Sequence, residues 1–222
     1  MDWEALNLSL RLAGWTVVVL LPVSVLAGRA LAFRHFRGKG LVQAMVMLPL
    51  VLPPTVLGFY LMSAMGRGTW AGEAWAAVFG QGLVFSFPGL VVASVIFNLP
   101  FAIQPAQRGF EAIPLEVREA AACCGMTPLR ALWRVELPLA WPGIATAMVL
   151  TFAHTLGEFG IVLMVGGSIP GETRTIAIAI YDRVQAFDDA AAATMSAALV
   201  ALSLAAIALT YRLSARVGRR LS

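Results

Sequence analysis

Charge is scarce in this chain. Acidic and basic residues make up 13% of the 222 positions against 59% apolar, and mean hydropathy is +0.82. A soluble domain of this length covers its surface with far more charge, so the deficit excludes that class and points to apolar surface facing lipid. Cysteine is nearly absent: Cys123 and Cys124 are adjacent, which offers neither a disulfide framework nor metal-ligand spacing, and both read as small helix-packing residues. The sequence has no G-x-x-x-x-G-K-[ST] loop to cradle nucleotide phosphates and no H-E-x-x-H zinc motif. A basic segment ahead of the first apolar run is also missing. Asp2 and Glu4 stand there instead, with no small-residue cleavage site after the run, so the run is expected to stay as a membrane helix.

What is present is a series of apolar runs. A span needs about 20 mostly apolar residues, and five stretches qualify, at roughly 10–31, 41–64, 83–103, 143–165 and 190–211. The expected fold is an all-α integral membrane protein with one transmembrane domain over 8–213 and a long loop at 104–142. The second run is interrupted by Pro49, Pro53 and Pro54, tolerable in a bundle whose neighbours satisfy the freed carbonyls. Alanine and serine enrich the fifth, which suits close helix packing.

The net charge of +4 could suggest nucleic acid, but the basic residues sit in short segments between apolar runs. Arg29, Arg34, Arg37 and Lys39, then Arg108, Arg118, Arg130 and Arg134, then Arg212, Arg216, Arg219 and Arg220 fall on one side of the membrane. The other side holds Arg11, Arg67, Arg174 and Arg183. The positive-inside rule places the first set in the cytoplasm, with the N-terminus outside and the C-terminus inside. Between runs four and five, Ile176, Ile180, Val184 and Phe187 recur at helical spacing, while Ile176, Ile178 and Ile180 also alternate as a strand would. In an all-helical membrane protein a short helix at the outer face is the favoured reading.

The loop between runs three and four carries the most information. Pro114 suits a first helical position, Glu116 a first turn, and Gly125 a left-handed helix end. Thr127 can cap a second helix starting at Pro128, with Leu129, Leu132 and Trp133 on one face, Arg130 and Arg134 on another, and a stop at Pro138. Two short amphipathic helices joined by a tight turn are expected on the cytoplasmic surface, more than a mere connector needs. They could serve only to anchor the loop at the interface.

Glu119-Ala120-Ala121, Gly125, Val135, Leu137 and Pro138 resemble the EAA loop of ABC importer permeases: EAA, three residues, Gly, nine residues, Ile, one residue, Leu-Pro. Every spacing matches, with Val135 replacing Ile. Leu48-Pro49-Leu50-Val51-Leu52-Pro53-Pro54-Thr55 is similar to the second span of molybdate and sulfate permeases, and both groups share Gly157-Glu158-Phe159-Gly160. The continuation Gly166-Gly167-Ser168-Ile169-Pro170-Gly171, with Thr173-Arg174-Thr175, resembles the molybdate branch. The resemblance implies a type I importer permease fold with five transmembrane helices and a cytoplasmic coupling helix. It also implies a homodimer of ten spans, a cytoplasmic ABC ATPase pair that binds ATP with magnesium, and an outside binding protein delivering molybdate or tungstate. Glu119 through Gly125 would carry ATP-driven closure to the membrane helices.

His154 and Glu158 lie four apart in the fourth run, where ionisable groups cost about 2.5–3.5 kcal/mol at the bilayer centre and so face the bundle or a wet path. A carboxylate repels a dianion, so Glu158 reads as a structural hydrogen-bonding or gate-supporting group with which His154 can pair. Thr151, Thr155, Asn98 and Gln104 could line a pathway or bond between helices. An intramembrane enzyme has only His154 and Glu158 in its favour, with no nucleophile in a recognisable setting. A self-sufficient channel or secondary transporter would need more than five unrepeated spans. Catalytic residues, a metal and a cofactor held by the chain itself are not expected.

Overall fold

The computed structural model describes the backbone of residues 1–221 and the side chains of residues 1–208. The side chains of Arg212, Arg216, Arg219 and Arg220, counted above for orientation, and those at the end of the fifth run lie outside the described ones. Eleven helices follow one another without a strand among the described residues: α1 (Trp3–Phe33), α2 (Lys39–Val51), α3 (Pro54–Met65), α4 (Trp70–Phe79), α5 (Phe87–Glu111), α6 (Leu115–Cys123), α7 (Pro128–Ala131), α8 (Leu137–Gly157), α9 (Gly160–Gly166), α10 (Ile176–Gln185) and α11 (Asp189–Leu221). A π-helical turn, Leu132–Glu136, joins α7 to α8. Four helices are long and apolar enough to cross a membrane, and the bent pair α2–α3 makes a fifth span.

Local chemistry starts and stops these helices. The Asp2 carboxylate accepts the Ala5 N–H at 3.0 Å and opens α1. Thereafter Ala5, Leu8, Leu12, Thr16, Leu20, Ser24, Gly28 and Leu31 recur at three- or four-residue steps and form its buried face. Ser86 caps α5 through the Gly89 N–H. The chain bends by 108° between α2 and α3. Leu52 and Pro53 are both extended there, because a proline disfavours helical backbone in the residue before it and two successive prolines supply no N–H.

The centre of the bundle is α1, α5 and α8 packed on one another, with α2 against α5, α11 against α8, and α3 against α9. Glycine sets the closest approaches. A Cβ on Gly143 would lie 2.6 Å from the Pro105 carbonyl oxygen and 2.7 Å from the Gly109 Cα, so α5 and α8 meet backbone to backbone. Gly28 brings α1 onto the same stretch of α5, where a Cβ would sit 3.0 Å from the Gln107 nitrogen. Around this crossing Ala106, Phe110, Ile113, Leu132, Ala140, Ile144 and Ala147 form one buried cluster.

Several boundaries differ from the sequence expectation. The loop expected at 104–142 is shorter, because α5 runs on to Glu111 and, after the short helix α6, helical backbone is continuous from Pro128. Pro105 lies inside α5, and Pro138 does not stop the chain. The Leu137 N–H bonds to the Leu132 carbonyl, so a widened turn precedes the residue that has no N–H to give. The fourth run ends sooner than expected: the helix that closes at Gly157 is by itself long enough to cross, and the rest of the run falls in a separate helix, α9, from Gly160. Cys123 and Cys124, expected as helix-packing residues, are exposed at the end of α6. The segment expected at the outer face is helical, α10, with Ile176, Ile178 and Ala179 buried.

Gly143→Ala forces two backbones apart and should lower stability by about 1–3 kcal/mol, read as a depressed melting midpoint of the purified chain. Gly14→Ala, where nothing lies within 4 Å of the new methyl, should stay within about 0.5 kcal/mol of the parent.

Candidate functional site

Two regions hold the residues singled out from the sequence. The first is the turn built by α6, α7 and the π-helical segment. Glu116 lies in the first turn of α6, and Pro114 takes the cap position one residue earlier than expected. The helix closes by a Schellman pair: Gly125 N–H to the Ala122 carbonyl and Met126 N–H to the Ala121 carbonyl. Gly125 has φ +70, and the space around it is open, so the backbone conformation alone calls for glycine. Thr127 then caps α7 by accepting the Arg130 N–H. Glu119 and Ala120 are exposed while Ala121 is buried, so α6 presents a short polar and small-residue ridge outward. Val135 and Leu137 are half-buried and Pro138 is exposed.

The turn is braced to the bundle by residues that sequence reasoning missed. Arg29, near the end of α1, holds the buried Glu136 in two hydrogen bonds, from Nε to Oε2 and from Nη2 to Oε1 at 3.0 Å. Arg118 of α6 lies 3.6 Å from the centre of the Phe33 ring, and Phe33 meets Phe110 of α5 edge to face at 5.9 Å. Helix α6, the π-helical turn and the near ends of α1 and α5 are thus joined by charge and aromatic contacts. The available signal was a lone carboxylate within the Val-Glu-Leu-Pro run, which needs a cation when buried; the partner, more than a hundred residues away, is not readable from spacing.

The second region is where the bent span α2–α3 meets α9 and the end of α8. Glu158 is the extended residue that ends α8, and its Oε1 accepts the Ile161 N–H at 3.1 Å, satisfying the first turn of α9. A Cβ on Gly160 would meet Pro54 at 2.8 Å and one on Gly58 would meet Met164 at 2.7 Å, so α3 and α9 lie in close contact beside both breaks. His154 and Glu158 do not pair, because the helix ends between them and the four-residue spacing no longer sets a shared face. His154 instead shares a hydrogen bond of 3.1 Å with Asn98 Oδ1, its ring stacked on Phe101 and tilted against Phe97. Thr155 donates to the Thr151 carbonyl, and Thr151 is fully buried. Asn98, Thr151 and Thr155 therefore lie between helices; Gln104 is exposed, its amide against the Met47 sulfur. No cluster of three or more His, Cys, Asp or Glu side chains able to hold a metal occurs among the described residues.

Removing one partner of the Arg29–Glu136 pair leaves a buried charge alone. Arg29→Ala or Glu136→Ala should each cost about 3 kcal/mol, and the double variant less than the sum. A thermal-melt cycle on the four proteins checks it, and additive losses would mean that the pair is not coupled.

A family model described as "Binding-protein-dependent transport system inner membrane component" matches residues 21–222. The molybdenum transport system permease protein ModB of Azotobacter vinelandii is 46% identical over 211 residues, spanning 95% of this chain and 93% of the relative. ModB of Haemophilus influenzae is 34% identical over 222 residues, spanning 100% and 97%. The sulfate transport system permease protein CysW of Synechococcus elongatus is 31% identical over 221 residues, spanning 98% and 76%. Among solved structures, a bacterial ABC transporter involved in import of the polysaccharide alginate superposes with a TM-score of 0.77 at 17% identity, covering 96% of this chain and 78% of the other. The MetNI methionine ABC transporter gives 0.72 at 20% identity, covering 97% and 94%. The fold is that of the type I ABC importer permeases, and the chain belongs to the family of binding-protein-dependent transport system inner membrane components.

Proposed function

We propose that this chain is the permease subunit of an ABC importer and forms the membrane pathway for molybdate, with tungstate as a near-equivalent cargo. One observation carries the cargo: 46% identity to a molybdenum permease across 95% of the chain, against 31% to a sulfate permease. Molybdate and tungstate are tetrahedral dianions of nearly the same size, so one pathway accommodates both. Sulfate is the second reading, favoured by the Gly157-Glu158-Phe159-Gly160 segment that both groups share.

The chain is a transport subunit of a multi-pass inner-membrane complex. Two copies surround the pathway, each with its N-terminus outside and its C-terminus in the cytoplasm. ATP and magnesium are held by a separate pair of ATPase subunits, and a binding protein outside the membrane delivers the anion.

The geometry of the turn supports a coupling role for α6. The exposed Glu119–Ala120 ridge of α6 seats in a groove of the ATPase, and small residues allow close approach. Closure of the ATPase pair displaces α6, and the Arg118–Phe33 and Arg29–Glu136 contacts carry that displacement to α1 and α8. The breaks at Leu52–Pro53 and at Glu158–Phe159 are the places in these spans where backbone can re-angle without unwinding a helix. There the pathway opens outward, then inward after hydrolysis. His154 and Glu158 support this region as hydrogen-bonding groups, and the buried carboxylate stays on the α9 backbone, away from a dianion.

Proteoliposomes holding the chain with its ATPase and binding protein should show ATPase stimulation and uptake with molybdate and tungstate. Stimulation by sulfate alone would overturn the cargo and leave the fold in place. Glu119→Trp and Gly125→Val should insert normally yet lose anion-stimulated ATPase activity and uptake together. Normal transport in both variants would remove the coupling role from α6.

A further inference from the structure

Charge is confined to the ends of the bundle. No Asp, Glu, His, Lys, Arg, Tyr or Cys occurs between Arg11 and Arg29 of α1, between Ser86 and Arg108 around α5, or between Asp189 and Tyr211 of α11. Helix α10 carries Tyr181, Asp182 and Arg183, engaged by Gln185, Arg174 and Asp188. Arg134 and Glu136 of the π-helical turn lie at the other end of α8. Within α8 the ionisable residue is His154, and Glu158 beyond it is held by the Ile161 N–H. His154 is therefore the group in the α1–α5–α8 core whose charge can change near neutral pH.

Asn98 fixes which ring nitrogen carries the hydrogen. Its Nδ2 donates to the Ser94 carbonyl at 2.8 Å, which turns Oδ1 toward the ring. That oxygen only accepts, so the hydrogen of the 3.1 Å bond belongs to His154 Nδ1. A neutral ring then has a bare lone pair at Nε2. Nε2 meets no partner among the described residues and is not one of the enclosed polar atoms, so it opens onto the surface of the bundle.

That surface is the side of α5 and α8 turned away from α1. Gly28 of α1 packs on Ala106 and Gln107, whereas Gln104, Arg108 and Gly143 line a groove of about 740 Å³ on the opposite side. His154 lies eleven residues from Gly143, about three turns, and Phe101 lies seven from Arg108, about two turns. The two rings, stacked at 4.1 Å, thus continue the line of the groove toward the middle of the bundle. A ring nitrogen open to hydrocarbon is costly, so this side borders a wet path.

We infer that His154 is a proton-operated contact for the oxyanion in the pathway, with Asn98 as its positioning residue. The inference rests on the permease function proposed above. With Nε2 bare, the ring turns a lone pair toward a passing dianion and repels it. A proton taken from water at Nε2 makes that atom a donor to an anion oxygen. Nδ1–H stays on Asn98, and the imidazolium lies against the Phe101 ring. The proton returns to water when the anion leaves. Contact is thus present at low pH and lost as pH rises and the ring gives up its second proton.

Nitrogen NMR of the assembled complex in proteoliposomes reads the ring without relying on transport. Only this chain carries isotope-labelled histidine, and His35→Gln leaves His154 as its one histidine. The spectrum should show Nδ1–H with a bare Nε2 at about pH 8 and a doubly protonated ring at lower pH. Molybdate should extend the doubly protonated form to higher pH by about half a pH unit or more. An Nε2–H tautomer at high pH, or a titration that neither molybdate nor sulfate moves, would overturn the contact. Movement by sulfate alone would keep the contact and overturn the cargo. In uptake by the same vesicles, the parent chain should gain about fivefold between about pH 8 and pH 6 relative to His154→Gln, whose amide donates at every pH. Asn98→Ala frees the ring to carry its hydrogen on Nε2 and should flatten the profile. Profiles of both variants that match the parent would remove the role from His154.

Discussion

In a bilayer the surrounding lipid is as apolar as a leucine side chain, so helices gain little by hiding apolar residues from it and hold together by close packing and polar contacts. In this chain that requirement falls on one crossing. Gly109 and Gly143 let α5 and α8 touch through their backbones, and Gly28 lets α1 join them at the same level. The three helices then converge at the end of the bundle that bears α6, and the other elements hang on that convergence. The pair α3–α9 has its own glycine contacts, through Gly58 and Gly160.

Because α1 and α8 are held so close there, Arg29 reaches Glu136, and Phe33 is caught between Arg118 and Phe110. A buried carboxylate paired in two bonds gives directional rigidity more than net stability, since desolvation offsets much of the attraction. These contacts tie α6 to α1 and the turn before α8, so that the three are held as one unit. The π-helical turn serves the same end, carrying the chain past Pro138 into α8 without a loop. At the far end of α8 the requirement reverses. The helix stops, Glu158 satisfies the next segment, and Pro53–Pro54 interrupt the neighbouring span at the same place.

Much of this was legible in the residues. The apolar runs, the proline interruption and the spacing from Glu119 to Pro138 were read from periods and intervals. The Gly125 helix end and the Thr127 cap came from local chemistry, since a left-handed turn wants glycine and a first turn wants an acceptor. The boundaries of the loop were not, because the third run was ended at 103 and Pro138 read as a stop, whereas α5 continues through Pro105 and α8 through Pro138. Whether a proline ends a helix depends on its turn and on which neighbours take up the freed carbonyl.

The sequence by itself therefore determined the class of protein, its spans and the two-helix turn from Pro114 to Glu136, all of which depend on composition and on contacts within a few residues. Tertiary structure decided which polar groups meet. His154 and Glu158 share a helical spacing, yet the chain breaks between them, and each finds its partner elsewhere: His154 on Asn98 of another helix, Glu158 on the backbone three residues ahead. Arg29 and Glu136 are 107 residues apart and share no motif. Pairings of that kind follow from how closely helices can approach, and that distance is set by glycines whose packing partners lie far along the chain.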